Sequence, residues 1–258
     1  CKYPEDMLAG VGIAYKLADA LFRVTAADKR SQQPDLALES LLDLVAIGTV
    51  ADLAPLDRLE NRLFVQRGLE VINNGVRAGV RALIDVAMLR SGPINAGRIG
   101  FALGPRINAA GRLDSAMTAF HLLMETDGPK AAELALALQT LNTRRQELTR
   151  QAQELIRERI EAEGHADAPL IFAQDASFQP GIVGLVAGRL AEEFYRPAVI
   201  LELGEHESRA SCRSIPQFDI THALDQCADL LVRHGGHAQA AGLTVRNENI
   251  PALRTRLI

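Results

Sequence analysis

A long amphipathic stretch, residues 129–164, divides this chain into two parts with different sequence patterns. Apolar side chains recur in it at intervals of three and four residues, and their neighbours are mostly charged or polar. Pro129 suits the first turn of a helix and Gly164 suits a helix end, so the pattern predicts one long helix. Such a helix most often lies between two domains, although a coiled-coil interface has the same pattern.

The two flanking parts differ in their predicted secondary structure. Before the long helix, helical periodicity covers residues 7–22, 36–56, 59–73, 79–89 and 114–125. After it, the pattern predicts strands over 168–174, 197–203, 208–215 and 240–246, and helices over 181–195 and 220–232. We therefore expect an α/β chain: residues 1–127, a connecting helix at 128–164, and an α/β domain at 165–258.

The composition, with 48% hydrophobic and 23% charged residues, is that of a soluble globular protein. The net charge of −4 gives no overall attraction to nucleic acid or to an anionic membrane, so a polyanion site has to be a local basic cluster. No apolar run reaches the roughly 18 residues needed to span a bilayer. Cys1, Cys212 and Cys227 form no Cys-x-x-Cys pair, which is typical of reduced thiols in the cytoplasm.

Two aspartates lie inside the apolar segment 36–56. Asp52 follows "VAIGTVA", where an unpaired charge would cost several kcal/mol and needs a partner. A helix cap or a buried arginine would serve, and a divalent metal is the functional alternative because hard cations prefer carboxylate oxygens. Asp43 has the weaker claim to a metal.

The segment "GPRINAAGRLDSA" places Arg106 and Arg112 close together among small residues. Guanidinium groups match paired phosphate oxygens, and small neighbours would let the backbone approach an extended ligand. Asn108 adds a neutral donor. Taken alone, the segment favours a tight turn between helices, with the arginines paired to carboxylates such as Asp114.

The segment "SRASCRSI" is the first of two candidate phosphate sites in the second part. Ser211 and Arg213 are two residues apart, so on a strand they share one face, with Ser214 following. A hydroxyl and a guanidinium on one face suit phosphate, and they also suit an ordinary solvated edge.

The second candidate is "RHGGHAQAAGL", in which Gly235 and Gly236 precede His237. Glycines adopt backbone conformations closed to other residues and can turn amide N–H groups toward an anion. A tight loop before a strand has the same appearance. No Gly-x-Ser-x-Gly, Walker or His-Glu-x-x-His motif is present, and the glycines of "GIVGLVAG" do not match the dinucleotide fingerprint.

Taken in order, these segments resemble the signatures of one family. They are "LLDLVAIGTVADLAPLDRLENRLFVQRGL", "IGFALGPRINAAGRLDSA", "QPGIVGLVAGRL", "SCRSI" and "HGGHAQAAGLTV". Over nearly the whole chain they resemble the RecJ single-strand DNA exonucleases of the DHH phosphoesterase superfamily. The Gly-Pro-Arg and Gly-Gly-His segments are the most specific of them.

The resemblance implies both a fold and an activity. It implies that residues 1–127 are the C-terminal portion of a DHH catalytic domain, tethered by the helix at 128–164 to a small mixed-sheet DHH-associated domain at 165–258. It further implies a cytoplasmic 5′→3′ exonuclease of DNA repair and recombination that uses manganese or magnesium. The implied partners are single-stranded DNA, a helicase and a single-strand-binding protein, with no membrane.

The resemblance also assigns roles to individual residues. Asp52 takes the place of the family's last metal-binding aspartate and is the catalytic candidate. The implied contacts to DNA phosphate are Arg106, Asn108, Arg112, Ser211, Arg213, Ser214, Gly235, Gly236 and His237.

The chain departs from the family pattern in three ways. The aspartate-rich and Asp-His-His motifs are absent and the first residue is a cysteine, so we expect a fragment that lacks most metal ligands and does not hydrolyse DNA alone. Phe178 and Gln179 replace an aromatic-histidine pair, which alters one expected phosphate contact. Cys212 replaces a glycine, and we expect it to narrow access to the backbone.

Two other functions remain open. A DHH phosphodiesterase acting on short oligonucleotides or cyclic dinucleotides would share Asp52 and the Gly-Gly-His segment, but the long helix and "GPRINAAGR" favour the exonuclease. A catalytically inactive DNA-binding relative would keep the fold and lose the metals, and the retention of Asp52 argues against it.

Overall fold

A computed structural model of the chain describes residues 3, 5–27, 37–75, 77–89, 91–162 and 168–258. Cys1, His165 and the helix end predicted at Gly164 lie outside these residues. The chain divides into two compact units, Cys1–Asn142 and Thr143–Ile258, here called unit 1 and unit 2. No helix in the described part is both long and apolar enough to cross a membrane.

The described residues of unit 1 form helices joined by turns and short loops, with no strand among them. Its helices are α1 (Gly10–Ala27), α2 (Leu42–Ala51), α3 (Leu59–Asn73), α4 (Ala78–Val86), α5 (Ala96–Arg98), α6 (Gly104–Leu113), α7 (Met117–Met124) and the first part of α8 (Gly128–Ala162). Helix α2 is apolar on all sides because it runs through the centre of the unit, where Val45, Ala46 and Ile47 are buried. Leu83, Leu103 and Leu122 complete this core.

Helix α8 confirms the long amphipathic helix, but its buried line does not include every leucine of the apolar pattern. Leu134 and Leu141 are only half-buried, whereas Ala131, Ala135 and Leu138 are fully buried. The line continues through the polar residues Asn142 and Thr149. Thr149 Oγ1 donates to the Arg145 carbonyl, so its hydroxyl is satisfied within the helix.

Unit 2 is built on a five-stranded mixed sheet of order β1-β2-β3-β5-β4. Its elements after α8 are β1 (Ile171–Asp175), α9 (Pro180–Phe194), β2 (Ala198–Glu202), β3 (Glu207–Arg213), α10 (Ile220–Asp225), β4 (Leu231–His237), β5 (Ala240–Arg246) and α11 (Ile250–Leu257). The β1–β2 pair is parallel and the other three pairs are antiparallel.

The two faces of this sheet differ in how much of each is covered by helices. One face carries Ala210, Cys212, Leu243 and Val245, which form a core with residues of α10 and α11. The opposite face carries Ser211 and Arg213 and is covered by α9 over β2 and β3. Over β4 and β5 that second face stays open, since Gly235, His237 and Gly242 are exposed. We call it the open face.

The predicted helix at 220–232 is wrong beyond Asp225. A short 3-10 turn at Ala228–Leu230 leads into strand β4, which the sequence pattern did not reveal. The apolar residues there resemble a helix, but pairing with β5 supplies the backbone hydrogen bonds, and the Gly-Gly pair that follows disfavours a helix. Helix α11 was also missed.

Candidate nucleic-acid interface

Asp52 is the last residue associated with α2 and is exposed. Its backbone N–H donates to the Gly48 carbonyl at 2.9 Å, which makes it the C-terminal cap of the helix. The predicted burial of this carboxylate among apolar neighbours is therefore wrong. The helix ends at Ala51, and the Asp52 side chain lies in solvent. Asp52 needs no buried partner.

Asp43 is the aspartate to which the desolvation argument applies. It is 2% exposed, and its Oδ2 lies 2.6 Å from Arg77 Nε. Arg77 also donates to the backbone carbonyls of Ser40 and Leu123. Asp43 thus has an arginine partner of the kind that was considered for Asp52, although Arg77 is only half-buried, and the pair connects α2 to α4 and α7.

The segment around Arg106 is helix α6 and not a tight turn. Its small residues serve helix packing: Ala109 and Ala110 are fully buried, and a Cβ at Gly104 would lie 3.4 Å from the Ala51 Cβ and 3.2 Å from the Ile99 carbonyl. The expectation that small residues bring the backbone to a ligand is therefore replaced by close contact between α6 and α2.

The two ends of α6 present different side chains. Asn108 and Arg112 are four residues apart, so they share one helix face, and both are exposed. Arg106 is half-buried on another side, where its Nε donates to Gln139 Oε1 at 2.7 Å and its Nη1 to the Ala102 carbonyl at 2.8 Å. Burial lowers the pKa of the Arg106 guanidinium.

A cleft of about 610 Å³ in unit 1 brings two of the predicted residues together. Asp52 and Asn108 both line it, beside Gly48, Ala51 and Gly104. The close α2–α6 contact is what places them there, because Gly104 packs on the residue that precedes Asp52. The Asp52 carboxylate and the Asn108 amide thus lie on one concave surface that is otherwise lined partly by small residues.

In unit 2, Ser211 and Arg213 are half-buried on β3 beside α9, where they border the open face and share one side of the strand, as their spacing predicts. Arg213 Nη1 donates to Ser211 Oγ at 3.1 Å and to the Cys212 carbonyl at 2.8 Å, which fixes the guanidinium beside the hydroxyl. A Cβ at Gly184 of α9 would come within 3.1 Å of Ser211 Oγ and 3.4 Å of Arg213 Nη2. The absent side chain keeps room around both groups.

Ser214 follows the end of β3 and is used structurally. Its Oγ donates to the Phe218 carbonyl at 2.7 Å, and its N–H donates to the Gln239 carbonyl. Both bonds hold the turn that leads from β3 into α10.

The Gly-Gly-His segment lies at the end of edge strand β4 and is not a loop. Only Gly236 has a left-handed backbone, with φ +153°, and a Cβ there would lie 2.3 Å from the Ala240 carbonyl oxygen. Gly235 has nothing within 4 Å of its missing side chain. His237 is exposed, and its carbonyl accepts a hydrogen bond from Thr221 Oγ1.

Strand register aligns these residues in two rows across the open face. Ser211, Gly242 and Gly235 form one row, and Arg213, Ala240 and His237 form the next. The glycine row is bare backbone between β3 and the sheet edge, flanked by a cation and an imidazole. Such a surface allows an extended anionic chain to lie close to the sheet.

The two departures expected near this site have separate outcomes. Cys212 faces the buried core on the other side of the sheet, so it does not narrow the open face; burial raises the pKa of its thiol to about 12. Gln179 is the N-terminal cap residue of α9, and its side chain makes no capping hydrogen bond. Phe178 is buried.

Residues 167–258 match the model of the DHHA1 domain family. The single-stranded-DNA-specific exonuclease RecJ of Bacillus subtilis is 41% identical over 259 residues, which cover 100% of this chain and 31% of that protein. The chain is a RecJ homologue.

Solved RecJ structures agree with this relationship. The structure of RecJ from Thermus thermophilus in complex with Mg²⁺ is similar, with a TM-score of 0.84 and 32% sequence identity. The similar region covers 99% of this chain and 38% of the Thermus chain. The same protein with Mn²⁺ matches 99% of this chain and 36% of its own, also with a TM-score of 0.84 and 32% identity. The chain thus spans less than half the length of each of these RecJ proteins.

The described residues of this RecJ homologue do not by themselves form a divalent-metal site. Across the described ranges, no group of three or more His, Cys, Asp or Glu side chains lies close enough to hold a metal ion. Asp52 offers one carboxylate and Asn108 one amide oxygen on the cleft wall. A hard cation needs about six oxygen ligands, so these two groups are insufficient.

Two arginines on the open face were missed by sequence reasoning. Arg209 precedes Ser211 by two residues on β3, and Arg233 lies on β4 two residues before Gly235. Arg209 could have been found from the sequence, because alternate residues of a strand share one face and Arg209 is two residues before Ser211. Arg233 was hidden because the strand that carries it was read as the end of a helix.

Proposed function

We propose that this chain is the DNA-binding part of a single-stranded-DNA-specific exonuclease and holds the terminal phosphate of its substrate. The observation that carries the proposal is the open face, where Ser211, Arg213 and His237 border the bare Gly235 and Gly242. The two rows they form contain no acidic side chain. Hydroxyl, guanidinium and imidazole donors beside accessible backbone suit a phosphate oxygen.

Helix α9 supports the same assignment. It begins at Pro180 with no side-chain cap from Gln179, and Gly184 in its second turn lies against Ser211. The uncapped N-terminus of α9 is therefore about one helical turn from the Gly184–Ser211 contact, and the positive end of a helix dipole favours an anion nearby. Arg213, already oriented by Ser211, adds a full charge.

Unit 1 contributes a second group of residues to the proposal. Asp52 is assigned as the catalytic carboxylate and as one ligand of a manganese or magnesium ion whose other ligands come from outside this chain. Asn108 and Arg112 on their shared helix face, with Arg106 oriented by Gln139, are assigned to DNA phosphate. The cleft that joins Asp52 to Asn108 supports this assignment.

The proposal includes the finer properties that the RecJ resemblance implies. These are 5′→3′ cleavage, a cytoplasmic role in DNA repair and recombination, and cooperation with a helicase or a single-strand-binding protein. Because Asp52 is a single carboxylate, the 258-residue chain alone is expected to bind DNA without hydrolysing it.

The test compares the whole protein with its Asp52→Ala variant on 5′-phosphorylated single-stranded DNA in the presence of Mn²⁺. Loss of hydrolysis with retained DNA binding supports the assignment of Asp52, and unchanged hydrolysis contradicts it. Faster cleavage of dinucleotides than of long strands would instead indicate an oligonucleotide phosphodiesterase. DNA binding without hydrolysis by the wild-type protein would indicate an inactive relative.

A further inference from the structure

A third row of side chains crosses the open face next to the Ser211 row. Arg209 on β3 is in register with Thr244 on β5, and Thr244 is in register with Arg233 on β4. Because neighbouring strands lie about 4.8 Å apart, the two arginines are anchored about 10 Å from each other across the central strand. We call Arg209 and Arg233 the outer arginine pair.

The central threonine orients one member of this pair. Arg233 Nε donates to Thr244 Oγ1 at 3.1 Å, and Thr244 is itself buried. This bond uses one of the five guanidinium N–H groups and aims the rest of the group along the sheet surface. Within the described part of the chain, neither Arg209 nor Arg233 is within 4.0 Å of a carboxylate oxygen.

The outer arginine pair belongs to a groove and not to a flat solvated edge. Arg209, Arg233 and Thr244 line a depression of about 350 Å³ together with Gly235 and Gly242. Both arginines are exposed. The two glycines form its floor, so the groove is continuous with the row that contains Ser211.

The spacing between rows matches successive phosphates of a strand. Two residues along a β-strand span about 7 Å, so the outer arginine pair lies about 7 Å from the Ser211 row. This is comparable to one nucleotide step of an extended single strand. The carboxylate nearest in register is Glu202 on β2, opposite Arg209. It lies on the side of β3 away from the glycine floor.

We propose that Arg209 and Arg233 bind the first internal phosphodiester of single-stranded DNA whose terminal phosphate is held by Ser211 and Arg213. The inference rests on the proposed function and adds a substrate requirement to it. The site discriminates against a mononucleotide, because only a chain of two or more nucleotides has an internal phosphodiester that reaches the second phosphate position. The contact is to the backbone and therefore independent of base sequence.

The experiment measures binding of 5′-phosphorylated oligothymidylates to the 258-residue chain by fluorescence anisotropy, using thymidine 5′-monophosphate as a competitor. Variants are Arg209→Gln, Arg233→Gln and the double variant. Arg256→Gln is the control for loss of a distant positive charge, because Arg256 is an exposed arginine that pairs with Asp229 on the opposite face of the sheet. Thermal unfolding of each variant verifies that the fold is kept.

We expect the double variant to bind an octamer about tenfold more weakly than the wild type does. Its affinity for thymidine 5′-monophosphate, measured by competition, should equal that of the wild type. Each lost phosphate contact should reduce the slope of log affinity against log salt by about 0.7 for single strands. Arg209→Lys should retain the slope because it retains the charge, and Thr244→Val should weaken octamer binding as Arg233→Gln does.

Three outcomes overturn the inference. They are unchanged octamer affinity in the double variant, an equal loss for monophosphate and octamer, and an equal loss in Arg256→Gln. The proposed function fails differently: Ser211→Ala and Arg213→Gln would then leave monophosphate binding unchanged, or the wild-type chain would not bind DNA. A wild type that does not bind DNA overturns both.

Discussion

The carboxylate of Asp43 is buried against the guanidinium of Arg77, with Oδ2 and Nε separated by 2.6 Å. Nine residues later, Asp52 is exposed at the end of the same helix. Two aspartates in one apolar segment therefore have opposite environments, and only the buried one is required by the fold. Substituting the two aspartates should therefore have different effects on the free energy of unfolding.

Asp43→Ala should destabilise unit 1 by about 3 kcal/mol, because it leaves the half-buried Arg77 charge without its carboxylate partner. Asp52→Ala should change stability by no more than about 0.5 kcal/mol, since the residue is exposed. Urea unfolding monitored by circular dichroism measures both. A larger loss from Asp52→Ala than from Asp43→Ala would contradict the assignment of Asp52 to function.

Gly184→Ala should weaken phosphate binding while leaving the fold intact. The new methyl group would lie 3.1 Å from Ser211 Oγ, which has to shift by a few tenths of an ångström, and it would touch Arg213 Nη2 at 3.4 Å. We expect a loss of about 1 kcal/mol in affinity for a 5′-phosphorylated oligonucleotide, roughly fivefold. In the helix interior, alanine itself favours stability.

Gly188→Ala is the matched control for this substitution. Its methyl group would make an ordinary contact of 3.9 Å with the Arg213 Cγ. Isothermal titration should find wild-type affinity for Gly188→Ala, and equal losses in the two variants would show that the effect comes from α9 generally.

The two glycines of β4 should respond differently to alanine. Gly236→Ala forces a side chain onto a backbone with φ +153° and within 2.3 Å of the Ala240 carbonyl oxygen, so we expect a loss of stability above about 2 kcal/mol. Gly235→Ala meets open space, so its melting temperature should stay within a few degrees of the wild type. Differential scanning calorimetry distinguishes them, and a reversed order would refute the register of β4.

Stability should fall at acid pH in part through Asp175. Hydrogen bonds from the Ser177 hydroxyl and backbone N–H, and then the Arg159 guanidinium, lower the pKa of Asp175 from 3.8 to about 2. A carboxylate with a lowered pKa stabilises the fold above about pH 4, and that stabilisation is lost as pH falls from about 4 to 2. Asp175→Asn should therefore cost about 1 kcal/mol at pH 7 and less near pH 2.

Unfolding by urea at a series of pH values measures this dependence. Arg159→Gln provides the comparison, because it removes the third contribution and leaves both Ser177 bonds in place. A constant difference between wild type and Asp175→Asn from pH 7 to pH 2 would rule out the lowered pKa.

Several predictions from the sequence are confirmed. The long helix is present as α8, the second part is an α/β unit with a mixed sheet, and Ser211 and Arg213 share one strand face. These features depend on local periodicity, which a single sequence displays directly. The strand β4 was missed because its apolar residues match a helix equally well, and only pairing with β5 decides between the two.

By itself, the sequence predicted a set of candidate phosphate-binding residues and, through collinear motifs, determined that the chain resembles RecJ. Tertiary structure alone decided that Asp43 is buried while Asp52 is exposed, and that Arg233 stands in register with Arg209. The physical reason is that burial and cross-strand register depend on contacts between residues distant in sequence. Local periodicity carries no information about those contacts.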